Sequence, residues 1–105
     1  FPDNYYAQIR IFENTQIDKL SMIEKKILFN ENLNLLSKYY NNKNILQTYL
    51  ELSKLTKKNE WVNFLNFWLF KDNDIKEIQK NLENYKKSSD KDLSNLVEII
   101  NNNYL

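Results

Sequence analysis

The sequence predicts an all-α domain: six to seven short amphipathic helices in antiparallel hairpins, forming a compact bundle or a short α-solenoid segment. Three observations carry this expectation. Apolar residues recur at helical spacing in successive segments of the chain. No segment of comparable length alternates polar and apolar residues as a half-buried strand does. The densest apolar stretch, Asn59 to Phe70, reads well only as a helix.

That stretch, NEWVNFLNFWLF, holds Trp61, Phe64, Phe67, Trp68 and Phe70, with Val62, Leu65 and Leu69 between them. At about 100° per residue, Trp61, Phe64, Leu65 and Trp68 share one face with Val62 and Leu69 beside them, and Asn63 and Asn66 share the opposite side. Phe67 falls at the boundary and Phe70 on the polar side. A strand would instead set one asparagine inside each apolar row. Burying five such rings removes roughly 1,000 Å² from water, about 25 kcal/mol gross as an upper bound. The stretch is therefore expected at the centre of the core. Asn59 is the expected N-cap, and Asp72 or Asn73 begins the next element. The apolar run is too short for a membrane span, which takes about 20 residues.

Before it, Tyr5, Ile9 and Phe12 recur at helical spacing from Asp3 to about Asn14, with Tyr6 alongside. Thr15 and Asp18 resemble a capping box for a second helix whose face is Ile17, Leu20, Ile23 and Ile27. Asn30 caps a third, striped by Leu33, Leu36 and Tyr40 and flanked by Leu35 and Tyr39. Asn41 and Asn42 turn the chain into a fourth, with Ile45, Leu46, Tyr49, Leu50 and Leu52, ending near Thr56. After the aromatic helix, Ile75, Ile78, Leu82 and Tyr85 form the cleanest stripe. Ser88 and Ser89 interrupt it, Ser89 with Asp92 offers a cap, and Leu93, Leu96, Val97, Ile100 and Tyr104 complete the last helix. Taken every second one, the expected caps lie 27, 29, 30 and 30 residues apart. That rhythm suits one helical hairpin per solenoid repeat and equally suits a plain antiparallel bundle.

Composition bounds the chemistry. At 105 residues, 42% hydrophobic and 14% aromatic, the chain has apolar surface enough to fold and reads as one domain, either whole or a piece of a longer chain. Fifteen basic against 14 acidic residues leave no strong field directed at nucleic acid or a membrane surface. With no glycine, any positive φ is expected to fall to one of the eighteen asparagines. The Asn, Lys, Ile and Tyr bias, with Arg10 the sole arginine, suggests an AT-rich genome. Phe1 in place of an initiator methionine reads as a processed mature form or an excised piece, so localisation is open between cytoplasm and secretion or export after removal of a leader.

The chain has no histidine and no cysteine, which removes the common metal ligands, the thiol nucleophile, disulfides and the usual general base. Without glycine there is no phosphate-cradling loop. Serine with a lysine base, or a carboxylate pair, stays formally open but has no recognisable spacing. Asp72, Asp74 and Glu83 match positions 1, 3 and 12 of a calcium-binding loop. Lys76 and Glu77, however, stand where a ligand and a glycine are needed, and the two aspartates read better as acids at a helix start. The pairs Lys25-Lys26, Lys57-Lys58 and Lys86-Lys87 are scattered among acids and capping residues, as solvated lysines are. No catalytic, cofactor-binding or metal-binding residue is expected, and no small-molecule substrate.

Adjacent helical residues point about 100° apart, so only one member of Tyr5-Tyr6 and of Tyr39-Tyr40 can face the core squarely. Phe67 and Phe70 pose the same question. These six, Tyr5, Tyr6, Tyr39, Tyr40, Phe67 and Phe70, are the candidate partner-binding residues, aromatic side chains being enriched at interfaces.

Two stretches resemble known families. In Thr48 to Leu65, Tyr49-Leu50 followed through an acid- and lysine-rich spacer by Glu60-Trp61-Val62-Asn63-Phe64-Leu65 resembles the helical repeats of large trafficking solenoids of the spatacsin type. That resemblance implies a non-catalytic protein-interaction scaffold. NFLNFWL, Asn63 to Leu69, also looks like the Asn-Leu-x-Phe-Trp-Leu stretch of regulators of G-protein signalling, although Asn63 stands one residue too early relative to Phe67-Trp68. This second resemblance implies Gα binding and transfers no contact residue. The leading expectation is a non-catalytic module presenting a rigid helical surface to another protein. The alternatives are a secreted or exported pathogen factor acting on a host protein, and a domain like the G-protein regulators.

Overall fold

Among the described residues, four helices start where a nearby side chain answers their first free N–H groups, and two do not. The structure, a computed structural model, describes residues 5–104, with side chains from residue 6 onward. Among these it forms seven α-helices and no strand: α1 (Tyr5–Asn14), α2 (Met22–Glu31), α3 (Leu33–Lys38), α4 (Lys43–Leu55), α5 (Asn59–Phe70), α6 (Ile75–Lys86) and α7 (Lys91–Tyr104). A single 3-10 turn, Ile17–Lys19, links α1 to α2.

The expected caps shift in four places. Thr15 does not open a helix; its hydroxyl donates back to the Ile11 carbonyl at 2.7 Å and so closes α1. The second helix starts later, at a complete capping box. Ser21 Oγ accepts from Glu24 N–H at 3.1 Å and Glu24 Oε1 accepts from Ser21 N–H at 3.0 Å. Asn30 stays inside α2, and Asn32 forms the joint to α3, its amide donating to the Leu28 carbonyl at 2.8 Å. Asp74, rather than Asp72 or Asn73, caps α6 by accepting from Glu77 N–H at 3.2 Å. Asp90, rather than Ser89, accepts from the N–H groups of Asp92 and Leu93 at 3.1 and 3.2 Å. Asn42 caps α4 as expected, accepting from Ile45 N–H at 3.2 Å.

The fifth correction concerns α5. Asn59 lies within the helix, and Lys58 precedes it with no side-chain cap. The end of α4 sets this start instead. Lys58 N–H bonds the Ser53 carbonyl at 2.9 Å and Lys57 N–H the Lys54 carbonyl at 3.2 Å, the paired bonds of a Schellman turn. Such a turn needs a left-handed residue. Lys57 supplies it at φ 58°, the one positive φ among the described residues, in the place the sequence would have given to asparagine.

The core is centred on α5. Trp61, Phe64, Leu65 and Trp68 are buried on the face the periodicity assigns them. Their rings meet rings from most of the other elements. Phe29 of α2 stands edge-on to Trp61 at 4.9 Å, and Tyr49 of α4 stacks on Trp61 at 6.4 Å. Tyr85 of α6 meets Phe64 at 5.3 Å, and Tyr104 of α7 meets Trp68 at 5.7 Å. Phe12 brings in α1 through Tyr49 at 5.1 Å. Each indole N–H finds an acceptor, as buried tryptophans require: Trp61 Nε1 donates to Asp90 at 3.0 Å and Trp68 Nε1 to the Tyr40 carbonyl at 2.6 Å.

Helices α4 and α5 form one hairpin and α6 and α7 another; α1 and α2 lie on α4, and α3 lies on α7. The α3–α7 contact decides between bundle and solenoid. A solenoid repeat touches only its neighbours, whereas here an early helix closes onto the last, making one bundle around one continuous cluster of buried residues. The apolar stripes hold with two exceptions. Ile78 and Leu82 of α6 are buried but Ile75, in its first turn, is exposed. Of the second-helix stripe only Ile17 is buried, while Ile23 and Ile27 face outward. The fully buried Ser53 hydroxyl has no hydrogen-bond partner.

Candidate partner-binding surface

The six aromatic candidates fall into two groups by environment. Tyr39, Tyr40 and Phe67 are half-buried padding around the core rings. Tyr40 sits 6.2 Å from Trp68, and its carbonyl takes the indole proton. Phe67 lies 6.2 Å from Trp68 and stacks on Tyr85 at 5.9 Å. Tyr6 and Phe70, by contrast, are 73% and 74% exposed. The Tyr5 side chain lies outside the described residues. The five described side chains do not gather into one face: Tyr6 belongs to α1, Tyr39 and Tyr40 follow α3, and of the five only Phe67 and Phe70 line one groove.

That surface is a shallow groove of about 260 Å³ where the end of α5 faces the start of α6. Phe67, Phe70 and Ile78 give it an apolar lining, and Asn66, Lys71, Asp72, Glu77 and Asn81 ring it with polar groups. Phe70 occupies the last helical position, two residues past the buried Trp68, where rotation carries it off the core face. The Lys71 ammonium lies 3.7 Å from the centre of the Trp68 ring and donates to the Trp68 carbonyl at 2.9 Å. It thereby answers one of the free carbonyls at the end of α5. Partial burial lowers the Lys71 pKa from its ordinary value. Burial likewise raises that of Tyr85, whose ring backs Phe67.

The aspartates of the calcium-loop pattern are part of the helix start. Asp72 accepts from Asp74 N–H at 3.3 Å, Asp74 caps α6, and α6 runs through the positions a metal loop would need. Among the described residues no three carboxylates converge to hold a metal ion, and no helix is long and apolar enough to cross a membrane.

Sequence periodicity did not identify a second apolar surface, on α2. Ile23 is 72% exposed and Ile27 48%, with Met22 beside them. Read as a core stripe with Ile17 and Leu20, they gave no hint of exposure. The helix packs on Phe29 instead, and at about 100° per residue Ile23 and Ile27 lie roughly 120° and 160° round the helix from it.

No known protein family, curated protein or solved structure matches the chain.

Proposed function

We propose that this chain is a non-catalytic helical module that binds another protein, with the α5–α6 groove around Phe70 as its contact surface. The observation that carries the reading is the exposure of Phe70 beside the apolar lining of that groove. A phenylalanine that is 74% exposed buries little of its ring in the fold, and large aromatic side chains are enriched at interfaces. The neighbouring Phe67 and Lys71 are held by ring and carbonyl contacts, so a partner would meet a surface already in place. The residue inventory supports the non-catalytic half of the proposal, since neither histidine nor cysteine is available.

The test compares tagged wild-type chain with Phe70→Ala in affinity capture from the source cell and from its host, if it has one, followed by titration of the recovered protein. Phe70→Ala is expected to weaken a stoichiometric partner by roughly 30-fold, the effect of losing a contact worth about 2 kcal/mol, with the helical circular dichroism unchanged. Retention of every partner by Phe70→Ala, and by variants at Tyr6, Tyr39, Tyr40 and Phe67, would sink the proposal.

A further inference from the structure

From the face of α2 we infer a second docking surface, which accepts a basic amphipathic helix: an apolar side chain flanked by lysine or arginine about seven residues apart. The surface is a groove of about 250 Å³ between the start of α2 and the chain before it, lined by Thr15, Leu20, Glu24, Ile27, Leu28 and Glu31. Its floor is aliphatic. Its only charged lining residues are the two glutamates, and no lysine or arginine among the described residues lines it. Glu24 precedes Ile27 by three residues and Glu31 follows it by four, so all three share one side of the helix. Their backbone positions stand about 10 Å apart along the axis, at 1.5 Å of rise per residue.

Charge selects the occupant. The exposed Glu31 carboxylate has no hydrogen-bond or ion-pair partner among the described residues, and among them Glu24 uses only Oε1, on the Ser21 N–H. Two carboxylates beside an exposed isoleucine repel an acidic partner and attract ammonium or guanidinium groups, while the aliphatic floor takes an apolar side chain between them. A partner helix presents residues seven apart on one face, which matches the spacing of the two glutamates. Ile23, one turn before Ile27, extends the apolar strip such a helix would cover. This surface is separate from the α5–α6 groove and stands or falls independently of it.

The test is fluorescence anisotropy with a labelled peptide of about 15 residues, near the length at which an isolated helix holds. The peptide carries leucines at its centre and lysines seven residues apart, and its control has glutamates in place of the lysines. The lysine peptide is expected to bind the wild-type chain, more weakly as salt rises, and the glutamate peptide not to bind. Glu31→Lys is expected to weaken binding roughly tenfold or more, the loss of about 1.4 kcal/mol. It leaves the fold intact, because a cation at a helix C-terminus is favourable. Ile27→Asp is expected to abolish binding and Phe70→Ala to leave it unchanged. Equal binding of the two peptides, or binding of neither, overturns the inference. So does binding lost with Phe70→Ala and kept with Ile27→Asp. An Ile27-dependent dimer in sedimentation without peptide also overturns it, by giving the face to a second copy of the chain.

Discussion

Helices α2 and α5 are built by opposite means. The ten residues of α2 start at a full capping box, Ser21 with Glu24, yet they bury one side chain, Phe29. The twelve residues of α5 start with no side-chain cap, after a lysine forced to a left-handed φ of 58°, yet they bury two tryptophans, Phe64 and Leu65. Local hydrogen bonds set where α2 begins, and Phe29 marks the one face it buries. Packing sets α5, and its local signals give way. A capping interaction is worth about 1 kcal/mol, whereas a fully buried aromatic ring removed from a core costs about 3–5 kcal/mol. At α5 the larger quantity decides the geometry, and at α2 the smaller one suffices because little else competes.

The largest effect should come from Trp68→Ala. Trp68 is fully buried, contacts the rings of Tyr40, Phe64, Phe67 and Tyr104, and supplies the N–H that holds the Tyr40 carbonyl. A loss of about 3–5 kcal/mol is expected, a large share of the roughly 5–15 kcal/mol that stabilises a domain of this size. Urea unfolding followed by circular dichroism measures it. A loss no greater than that of an exposed residue would mean that α5 is not the centre of the core.

Tyr49→Phe probes the tie between the two helices. The Tyr49 hydroxyl donates to the Phe29 carbonyl in α2 at 2.6 Å, and its ring packs against those of Phe29 and Trp61. Removing the hydroxyl leaves a buried carbonyl unanswered, at a cost of about 1–3 kcal/mol. Burial also raises the Tyr49 pKa well above its ordinary value of 10.0. Above about pH 10 the unfolded chain therefore loses a proton that the folded chain keeps. The unfolded state then binds fewer protons and stability falls as pH rises. Urea midpoints near about pH 8 and about pH 11 should diverge more in the wild type than in Tyr49→Phe. Equal divergence would assign the alkaline loss to other groups, Tyr85 among them.

Lys57→Gly tests the price α5 accepts at its start. A left-handed backbone costs a residue with a Cβ about 1–2 kcal/mol, and glycine escapes that cost while gaining freedom in the unfolded chain. A net stabilisation of about 0.5–1 kcal/mol is expected in urea unfolding. Destabilisation would show that the lysine stem contributes more than its backbone loses.

The same contrast explains what the sequence disclosed. Where apolar side chains are dense, as in α5 and in the Leu93, Leu96, Val97, Ile100 stripe of α7, periodicity named the buried face correctly, down to Phe67 at the boundary and Phe70 outside. Element positions followed, because a helical face of that strength tolerates few alternatives. Helix starts were read less well. Thr15, Asn30, Asn59 and Ser89 are all acceptable capping residues, and the choice among neighbouring candidates turns on which N–H groups the fold brings within reach. The left-handed turn fell on Lys57 rather than an asparagine because the Schellman bonds fix that position, and residue preference is worth less than the two bonds. Of the candidate surface, the exposure of Phe70 and Tyr6 followed from the wheel and from the doubled tyrosines. The separation of the five described aromatics into different parts of the molecule did not, since it depends on how the hairpins pack.

The smallest effect should come from Ile23→Asn, and it is the sharpest measure of the difference between the two helices. By periodicity alone Ile23 belongs to a core stripe, and its removal would then cost as much as other large aliphatic truncations, about 2–5 kcal/mol. In the fold it is 72% exposed on the outer face of a helix that relies on Phe29 and a capping box. A substitution there should change stability by less than about 0.5 kcal/mol. The two expectations differ several-fold, so a single urea titration separates them. A small cost leaves Ile23 available to a partner. A large one would mean that the α2 face is covered by the molecule itself, which would remove the basis of the second docking surface while leaving Phe70 and its groove untouched.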